Sequence, residues 1–360
     1  MKVLIAAGGT GGHIYPGIAV AKEILARDAA SEVLFVGTSK GLETRIVPEN
    51  GFQLSLIHSA GLKNVGLAGK IKGLAVLPQS FVEARKILRE FSPDVVVGAG
   101  GYVSGPVLLT AHFLGYPTLV MDSNALPGFT NRRLARFVDR AALTFDDAIP
   151  FFGTKGIVTG NPVREEFFGI VERKPAKPFH LLIFGGSQGA RAINNAMMSA
   201  LPLVKEAVDS LVITHQTGEA DFETVETAYK DAEIVDADVR PYITNMVEEF
   251  DKADLIICRA GATTCAEVAA AGKASIMVPL PSAADDHQRK NAEAMQKNGA
   301  VRMILQTDLS RERLAAELTD LFSAPEKLAA MSKAARQLAR PDAASATVDI
   351  IESLRKVVGK

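Results

Sequence analysis

The sequence has little of several features that would assign it quickly to a functional class. Its 360 residues include only two cysteines, Cys258 and Cys265, whose spacing matches no zinc pattern and favours core positions in a reducing cytoplasm. The formal net charge is −1, so charge gives no indication of a nucleic-acid partner. No apolar stretch reaches transmembrane length, and the N-terminal apolar run is too short for a signal peptide. Composition predicts a soluble protein, or one that at most lies on a membrane.

A dinucleotide-binding fingerprint is also missing. If Gly9 were the first glycine of such a motif, the third would fall at Ile14. No acidic residue closes the second predicted strand, which ends at Thr38. An NAD-dependent enzyme is therefore disfavoured.

Two glycine-rich turns, one near the start of each half of the chain, each join an apolar strand to a helix. The first spans residues 8–13 and follows a predicted strand at 3–7. The second spans 185–189 and follows a strand at 181–184. Glycines let backbone N–H groups approach a ligand, and the N-terminus of the next helix carries partial positive charge. Either turn alone can be a plain connection, but two at matching positions favour a nucleotide site.

A third glycine-rich turn, at residues 98–105, follows a predicted strand at 94–98. Three such turns exceed the needs of one nucleotide, so a second phosphorylated ligand is expected. Asp122, Ser123 and Asn124 follow the strand at 118–121, and ligands of open α/β sheets bind at this carboxyl edge.

Strands alternate with helices along the whole chain, which predicts an α/β protein with doubly wound parallel sheets. The length favours two domains, with the boundary placed where the stretch after Gly160 runs into a polar, proline-containing linker at 169–178. In the first half we expect a helix at 15–27. In the second half we expect strands at 181–184, 210–214, 233–235, 254–258, 275–278 and 300–304, and a last helix at 343–357.

Two polar stretches of the second half carry candidate chemistry. Glu267 lies one turn into a helix that follows a strand, where its carboxylate can accept hydrogen bonds from ribose hydroxyls. Its alternative role is a favourable charge near the helix dipole. Gln288 lies after another strand, where it can contact sugar hydroxyls. Asp236 and Asp238 match a metal-binding Asp-x-Asp pattern, but they are expected in an exposed turn and a chance match is favoured.

Apolar and basic residues share the loop predicted at 59–69 and the start of the helix after it. One interpretation is a loop packed on that helix, and the other is a patch that contacts an anionic membrane. The patch residues are Leu62, Lys63, Val65, Leu67, Lys70 and Lys72.

Six ordered motifs cover nearly the whole chain: Gly8-Gly9-Thr10-Gly11-Gly12-His13, Gly98-Ala99-Gly100-Gly101-Tyr102, Gly160-Asn161-Pro162-Val163-Arg164, Gly185-Gly186-Ser187-Gln188-Gly189-Ala190, Arg259-Ala260-Gly261-Ala262-Thr263-Thr264, and Asp286-His287-Gln288 with Asn291-Ala292. Together they closely resemble the MurG family of bacterial glycosyltransferases, which make lipid II from lipid I in peptidoglycan synthesis. The resemblance implies a GT-B architecture, with two Rossmann-like domains facing across a cleft. It implies a first domain of residues 1–163 plus 342–360, which binds the acceptor and faces the membrane, and a donor domain of 164–341.

The resemblance also implies the reaction and its partners. N-acetylglucosamine would pass, with inversion, from UDP-N-acetylglucosamine to the muramyl C4 hydroxyl of undecaprenyl-linked lipid I, without an obligatory divalent metal. The protein would be peripheral to the cytoplasmic face of the cell membrane, with other cell wall synthesis enzymes as possible partners. The alternatives are a glycosyltransferase of the same fold acting on diacylglycerol, a UDP-sugar epimerase, and a non-catalytic nucleotide-sugar binder.

Site residues carry over position by position. The implied donor pocket comprises Thr10, Gly11, Gly12, Asn124, Arg164, Ser187, Ile243, Ala262, Thr263, Thr264, Cys265, Ala266, Glu267 and Gln288. The candidates for the acceptor pyrophosphate are Gly12, His13, Gly100, Gly101 and Tyr102. His13 is also the candidate general base, because histidine titrates close to working pH and a helix N-terminus favours its neutral form. One departure concerns Met121-Asp122-Ser123-Asn124, where the family commonly has His-Glu-Gln-Asn.

Overall fold

The chain forms two compact units, and a computed structural model describes residues 1–59, 67–186, 189–234 and 236–358. Unit 1 comprises Met1–Val163 with Arg340–Lys360, and unit 2 comprises Arg164–Ala339. The second boundary lies two residues before the predicted one. Among the helices in these ranges, none combines the length and apolar character needed to cross a bilayer.

Unit 1 is a parallel sheet with helices between its strands. The strands are β1 (Lys2–Ala7), β2 (Glu32–Gly37), β3 (Gln53–Leu56), β4 (Val95–Gly100), β5 (Thr118–Asp122), β6 (Arg140–Leu143) and β7 (Gly156–Val158). The helices are α1 (Gly11–Arg27), α2 (Glu43–Glu49), α3 (Leu67–Phe91), α4 (Ser104–Phe113), α5 (Phe129–Leu134), α6 (Ile149–Phe152) and the last helix of the chain, α14 (Ala343–Val358). The strand order is β3-β2-β1-β4-β5-β6-β7.

The core of unit 1 lies on both faces of this sheet. Residues 3–7 of β1 are buried, and alternate residues point to opposite faces, so Ile5 packs in the cluster that contains α1 and α14. Leu4 packs in the cluster that contains α3 and α4. Helix α1 begins at Gly11, four residues before the predicted start, because His13 and Ile14 already donate their N–H groups to the Thr10 carbonyl.

Helix α14 completes the core of unit 1 although it follows unit 2 in the chain. Val348, Ile351 and Leu354 are buried in the same cluster as α1. At the surface the Arg27 guanidinium donates to the Asp349 carboxylate at 2.6 Å and to the Ser345 carbonyl at 2.9 Å. The first and last helices are therefore joined by both apolar and polar contacts.

Unit 2 repeats the parallel arrangement. Its strands are β8 (Phe179–Phe184), β9 (Leu211–Gln216), β10 (Ala237–Arg240), β11 (Leu255–Cys258), β12 (Ala274–Met277) and β13 (Val301–Met303). Its helices are α7 (Arg191–Ala207), α8 (Phe222–Asp231), α9 (Met246–Lys252), α10 (Ala262–Ala271), α11 (His287–Lys297), α12 (Arg311–Phe322) and α13 (Pro325–Gln337). The strand order is β10-β9-β8-β11-β12-β13. Both sheets confirm the predicted α/β class.

The strand expected near 233–235 is displaced, because residues 233 and 234 are not in a strand and residue 235 lies outside the described residues. The strand in this region is β10, which pairs with β9 through Ala237 opposite Ile213. It contains Asp238, so the Asp-x-Asp pattern lies partly in a strand rather than in a turn. The reason is that an edge strand gains its main-chain hydrogen bonds on one side and needs no apolar run.

Candidate functional site

The carboxyl ends of β8, β9, β11 and β12 lie along one edge of the sheet of unit 2, because all these strands are parallel. The glycine turn after β8 includes Gly186, with φ +93°, and Gly189, with φ +73°. A Cβ at Gly189 would overlap the Thr217 carbonyl, so only glycine lets the turn approach the end of β9 this closely. Ser187 and Gln188 lie outside the described residues.

The N-terminus of α10 provides the polar groups next to this turn, because β11 neighbours β8. Gly261 precedes the helix with extended backbone, and Ala262, Thr263 and Thr264 form its first turn. The Thr263 hydroxyl is buried and has no hydrogen-bond partner within the described part of the chain. Free N–H groups and an unsatisfied hydroxyl at a helix N-terminus together suit an anion such as a phosphate.

Glu267 lies on α10, partly buried. Burial raises the pKa of this carboxyl to about 7, and the positive charge of Arg164 opposes the rise. Arg164 begins unit 2, with its guanidinium over the Phe167 ring at 4.9 Å from the centroid. Arg164 and Glu267, two of the predicted donor residues, are therefore close enough for the charge of Arg164 to lower the pKa of Glu267. A carboxyl with a raised pKa that lacks a full countercharge is typical of a functional site.

Other predicted donor residues of unit 2 lie along the same edge. The Gln288 side chain accepts a hydrogen bond from the Leu280 N–H at 3.0 Å, which places it beside the segment after β12. Cys265 is buried with its sulfur 3.9 Å from that of Met277, so its side chain lies in the core. The carboxylate of Asp238 pairs with Arg240, and no cluster of three or more potential metal ligands occurs in the described ranges.

The first and the third glycine turns, at residues 8–13 and 98–105, both lie in unit 1 and pack directly on each other. Gly101 has φ +81°, and a Cβ there would overlap the Gly8 carbonyl. Gly100 has φ +123°, and a Cβ there would overlap the His13 ring. The structure thus brings together His13, Gly100 and Gly101, which were predicted as acceptor residues. Tyr102 follows with an exposed side chain.

His13 lies in the first turn of α1, and its Nδ1 is 3.3 Å from the Gly8 carbonyl oxygen. A carbonyl only accepts, so Nδ1 carries the proton in this contact. In the neutral ring the lone pair then lies on Nε2. Thr10, which precedes α1, is exposed, and Gly11 and Gly12 are the first helical residues.

Glu43 holds the first glycine turn through a hydrogen bond to its main chain, and the sequence analysis did not predict this role. Its fully buried carboxylate accepts hydrogen bonds from the Gly9 N–H at 2.9 Å and from the Thr38 N–H and hydroxyl at 2.8 Å. Burial alone would raise the pKa of Glu43, but these hydrogen bonds outweigh it and lower the pKa. The sequence offers no signal for this role, because the Gly9 N–H lies 34 residues before Glu43 in the chain and only the fold brings the two groups together.

The Asp122–Asn124 segment follows β5. The buried Asp122 carboxylate accepts hydrogen bonds from the N–H groups of Asn124 at 3.0 Å and Gly128 at 3.2 Å, and from the Asn131 amide at 2.8 Å. The Ser123 hydroxyl donates to Asn161 at 3.1 Å. Asp122 and Ser123, which differ from the residues that the family commonly has at these positions, therefore fix the loop that contains Asn124.

Two family models match the chain: the N-terminal domain of glycosyltransferase family 28 over residues 3–143 and its C-terminal domain over residues 180–347. A Geobacter sulfurreducens protein is 48% identical over 99% of this chain and 100% of its own length. A Pelobacter propionicus protein is 46% identical over 98% of this chain and 99% of its own. Both are named UDP-N-acetylglucosamine–N-acetylmuramyl-(pentapeptide) pyrophosphoryl-undecaprenol N-acetylglucosamine transferase.

Solved structures of similar proteins support the same family assignment and the same fold. Acinetobacter baumannii MurG matches with a TM-score of 0.81 and 34% identity, over 98% of this chain and 99% of that one. A UDP-GlcNAc 2-epimerase from Neisseria meningitidis matches with a TM-score of 0.70 over 98% of this chain and 100% of that one, but at 16% identity, which shows the fold alone. The predicted GT-B fold of two Rossmann-like domains is confirmed. With two domain models over most of its length and near-full-length relatives, the chain belongs to glycosyltransferase family 28 and, within it, to the MurG family.

Proposed function

We propose that this chain transfers N-acetylglucosamine from UDP-N-acetylglucosamine to the muramyl C4 hydroxyl of lipid I, giving lipid II with inversion at the anomeric carbon. The near-full-length relatives carry names for this transfer. The observation in the structure that carries the proposal is the α10 site, where a helix N-terminus, the buried unpaired Thr263 hydroxyl and Glu267 lie within two helical turns. These groups match the diphosphate and the ribose of a nucleotide donor.

The donor residues divide by chemistry. The N–H groups at the start of α10 and the glycine turn containing Gly186 and Ser187 would hold the diphosphate, and Glu267 would accept from the ribose hydroxyls. Arg164 would add positive charge, and the Ile243 segment would contact the base. The resemblance also assigns Thr10, Gly11, Gly12 and Asn124 of unit 1 to donor binding. Because helix N-termini stabilise the charge that develops on the leaving UDP, no obligatory metal ion is part of the proposal.

His13 would act as the general base. The muramyl C4 hydroxyl oxygen attacks the anomeric carbon of the donor while the bond from that carbon to the UDP oxygen breaks. The hydroxyl proton passes to Nε2 of His13, which carries the lone pair when Nδ1 donates to Gly8. The tight packing of Gly100 against the imidazole fixes the ring. Gly12, Gly101 and Tyr102 would meet the pyrophosphate of the acceptor.

A membrane contact of unit 1 belongs to the same proposal, because the acceptor is a lipid. Helices α3 and α4 pack against each other, and each exposes a large apolar side chain, Val82 and Phe113. Exposed Arg85 on α3 adds positive charge that suits an anionic surface, whereas the charge of Lys86 is paired with that of Glu90. Of the residues predicted for this patch, Leu62, Lys63 and Val65 lie outside the described residues. For the other three, Leu67, Lys70 and Lys72 of α3, no side chain is described. The protein would lie at the cytoplasmic face of the membrane, where other cell wall synthesis enzymes are available as partners.

The test is transfer itself. The protein is incubated with UDP-N-acetylglucosamine and a lipid I analogue, and UDP release and the disaccharide product are followed. Parallel reactions contain diacylglycerol as the acceptor, or no acceptor. The proposal is supported if product forms in the reaction that contains the lipid I analogue and in neither of the other two. Product with diacylglycerol would favour the glycolipid enzyme, and acceptor-independent conversion of the donor sugar would favour an epimerase.

A further inference from the structure

Gln216 joins two separate parts of unit 2 through one side-chain amide. It is the last residue of β9 and is 2% exposed. Its Nε2 donates to the Gly186 carbonyl at 2.8 Å, and its Oε1 accepts from the Ile243 N–H at 2.8 Å. One partner is in the glycine turn after β8 and the other follows β10. The amide is a bridge because it carries a donor and an acceptor on one rigid plane.

The residues on either side of Gln216 hold this bridge in place. The Thr217 carbonyl accepts from Asn194 of α7 at 3.0 Å and contacts Gly189 at the other end of the glycine turn. The buried His215 ring lies 3.1 Å from both the Asn194 amide oxygen and the Tyr229 hydroxyl. The end of β9 is thus fixed to α7 and α8 by buried hydrogen bonds, which leaves the amide of Gln216 one orientation.

We propose that Gln216 is a positioning residue for the donor nucleotide, because it fixes the glycine turn relative to the Ile243 segment before any ligand arrives. This inference rests on the proposed donor site, in which the first segment meets the diphosphate and the second meets the base. Without the bridge, the nucleotide would have to order both segments as it binds, and that ordering reduces affinity. A ligand that reaches only one segment gains little from the bridge.

Two variants test the bridge, and a third serves as the control. Gln216→Met keeps the length of the side chain and removes both hydrogen bonds. We expect the donor KM and the UDP dissociation constant to rise about tenfold or more, while the acceptor KM and the weak binding of inorganic pyrophosphate change little. Ile213→Val shortens a side chain of the same strand that is buried in the apolar core. It should lower stability and leave the donor KM unchanged.

Gln216→Glu provides a readout that a purely structural role would not produce. A protonated carboxyl donates to the Gly186 carbonyl as the amide does, whereas a carboxylate places an acceptor against an acceptor. The ratio of the variant's UDP dissociation constant to that of the unmodified protein should approach one near pH 5 and rise toward pH 8. This titration also decides the question if Gln216→Met does not fold.

The outcomes separate the inference from the proposed function. The inference is overturned if folded variants keep the donor KM of the unmodified protein. It is also overturned if the donor KM and the acceptor KM rise together in proportion to the loss of stability. Dissociation constants are measured for UDP, ADP and GDP. If the unmodified protein prefers ADP or GDP, the proposed donor is wrong, and the same variants measured with the preferred nucleotide still decide the role of Gln216.

Discussion

Replacement of Glu267 by glutamine should stabilise the ligand-free protein and weaken its binding of UDP. Burial raises the pKa of this carboxyl to about 7, from the ordinary value of 4.5 for a glutamate side chain. Below pH 4.5 the group is protonated in both the folded and the unfolded chain. Between pH 4.5 and 7 the unfolded chain loses the proton while the folded chain keeps it, so the free energy of unfolding falls as pH rises. One pKa unit corresponds to about 1.4 kcal/mol, so the total loss is on the order of 3 kcal/mol by pH 8.

Glutamine resembles the protonated carboxyl and does not ionise. At pH 8 Glu267→Gln should therefore unfold with a free energy about 2–3 kcal/mol higher than the unmodified protein, while near pH 4.5 the two should agree. UDP binding should change in the opposite direction, because hydrogen bonds from ribose to a charged carboxylate are worth about 1.5–3 kcal/mol. That loss corresponds to a UDP dissociation constant about 10- to 100-fold higher at pH 8.

Chemical denaturation between pH 4.5 and 8 measures the first effect, and titration calorimetry with UDP measures the second. Glu206→Gln, an exposed position on α7 of the same unit, is the matched control and should leave both curves unchanged. Identical pH profiles of stability in Glu267→Gln and the unmodified protein would refute the raised pKa. Equal UDP affinities at pH 8 would remove Glu267 from the ribose site.

Four further predictions concern the nucleotide, the base, a glycine turn and the membrane. UDP at a hundred times its dissociation constant should stabilise unit 2 by about 2.7 kcal/mol and raise its melting temperature by several degrees, and an equal shift with ADP would contradict the donor assignment. His13→Ala at saturating acceptor should lower kcat about a hundred- to ten-thousand-fold, whereas near-normal turnover would leave His13 a binding residue only. Gly101→Ala should cost about 1–3 kcal/mol of stability because of its positive φ and the Gly8 carbonyl, while Gly128→Ala, with open space around it, should be mild; similar denaturation midpoints would argue against strain in the turn. Phe113→Ser should weaken sedimentation with anionic vesicles, and Val171→Ser in unit 2, 71% exposed against 75% for Phe113, should not; equal loss in both would disconnect binding from unit 1.

The sequence was sufficient to predict the parts of the fold that rest on buried apolar runs. Strands such as β1 and β8 are buried on both faces, so nearly every residue in them is apolar and their positions are evident. The glycine turns were equally evident, since at Gly101 and Gly189 the close approach of a carbonyl excludes any side chain. These turns also located the candidate site.

The parts that could not be predicted depend on partners distant in the sequence. Strand β10 is held by hydrogen bonds to β9 and has a polar sequence, so periodicity favoured the apolar residues just before it. Glu43 and Gln216 bond to main-chain groups 34 and 30 residues away, at Gly9 and Gly186. Their roles depend on which main-chain groups the fold brings next to them, and local sequence patterns do not predict such long-range contacts.

The contribution of α14 to unit 1 has a consequence for the order in which the protein matures on the ribosome. Val348, Ile351 and Leu354 cover the core beside α1, but they are synthesised only after all of unit 2. At bacterial elongation rates that interval is on the order of ten seconds or more. During this interval unit 2, which is one continuous stretch of chain, can fold while the sheet of unit 1 still exposes the apolar face that α14 will cover. We expect chaperones to bind that face until α14 has been synthesised.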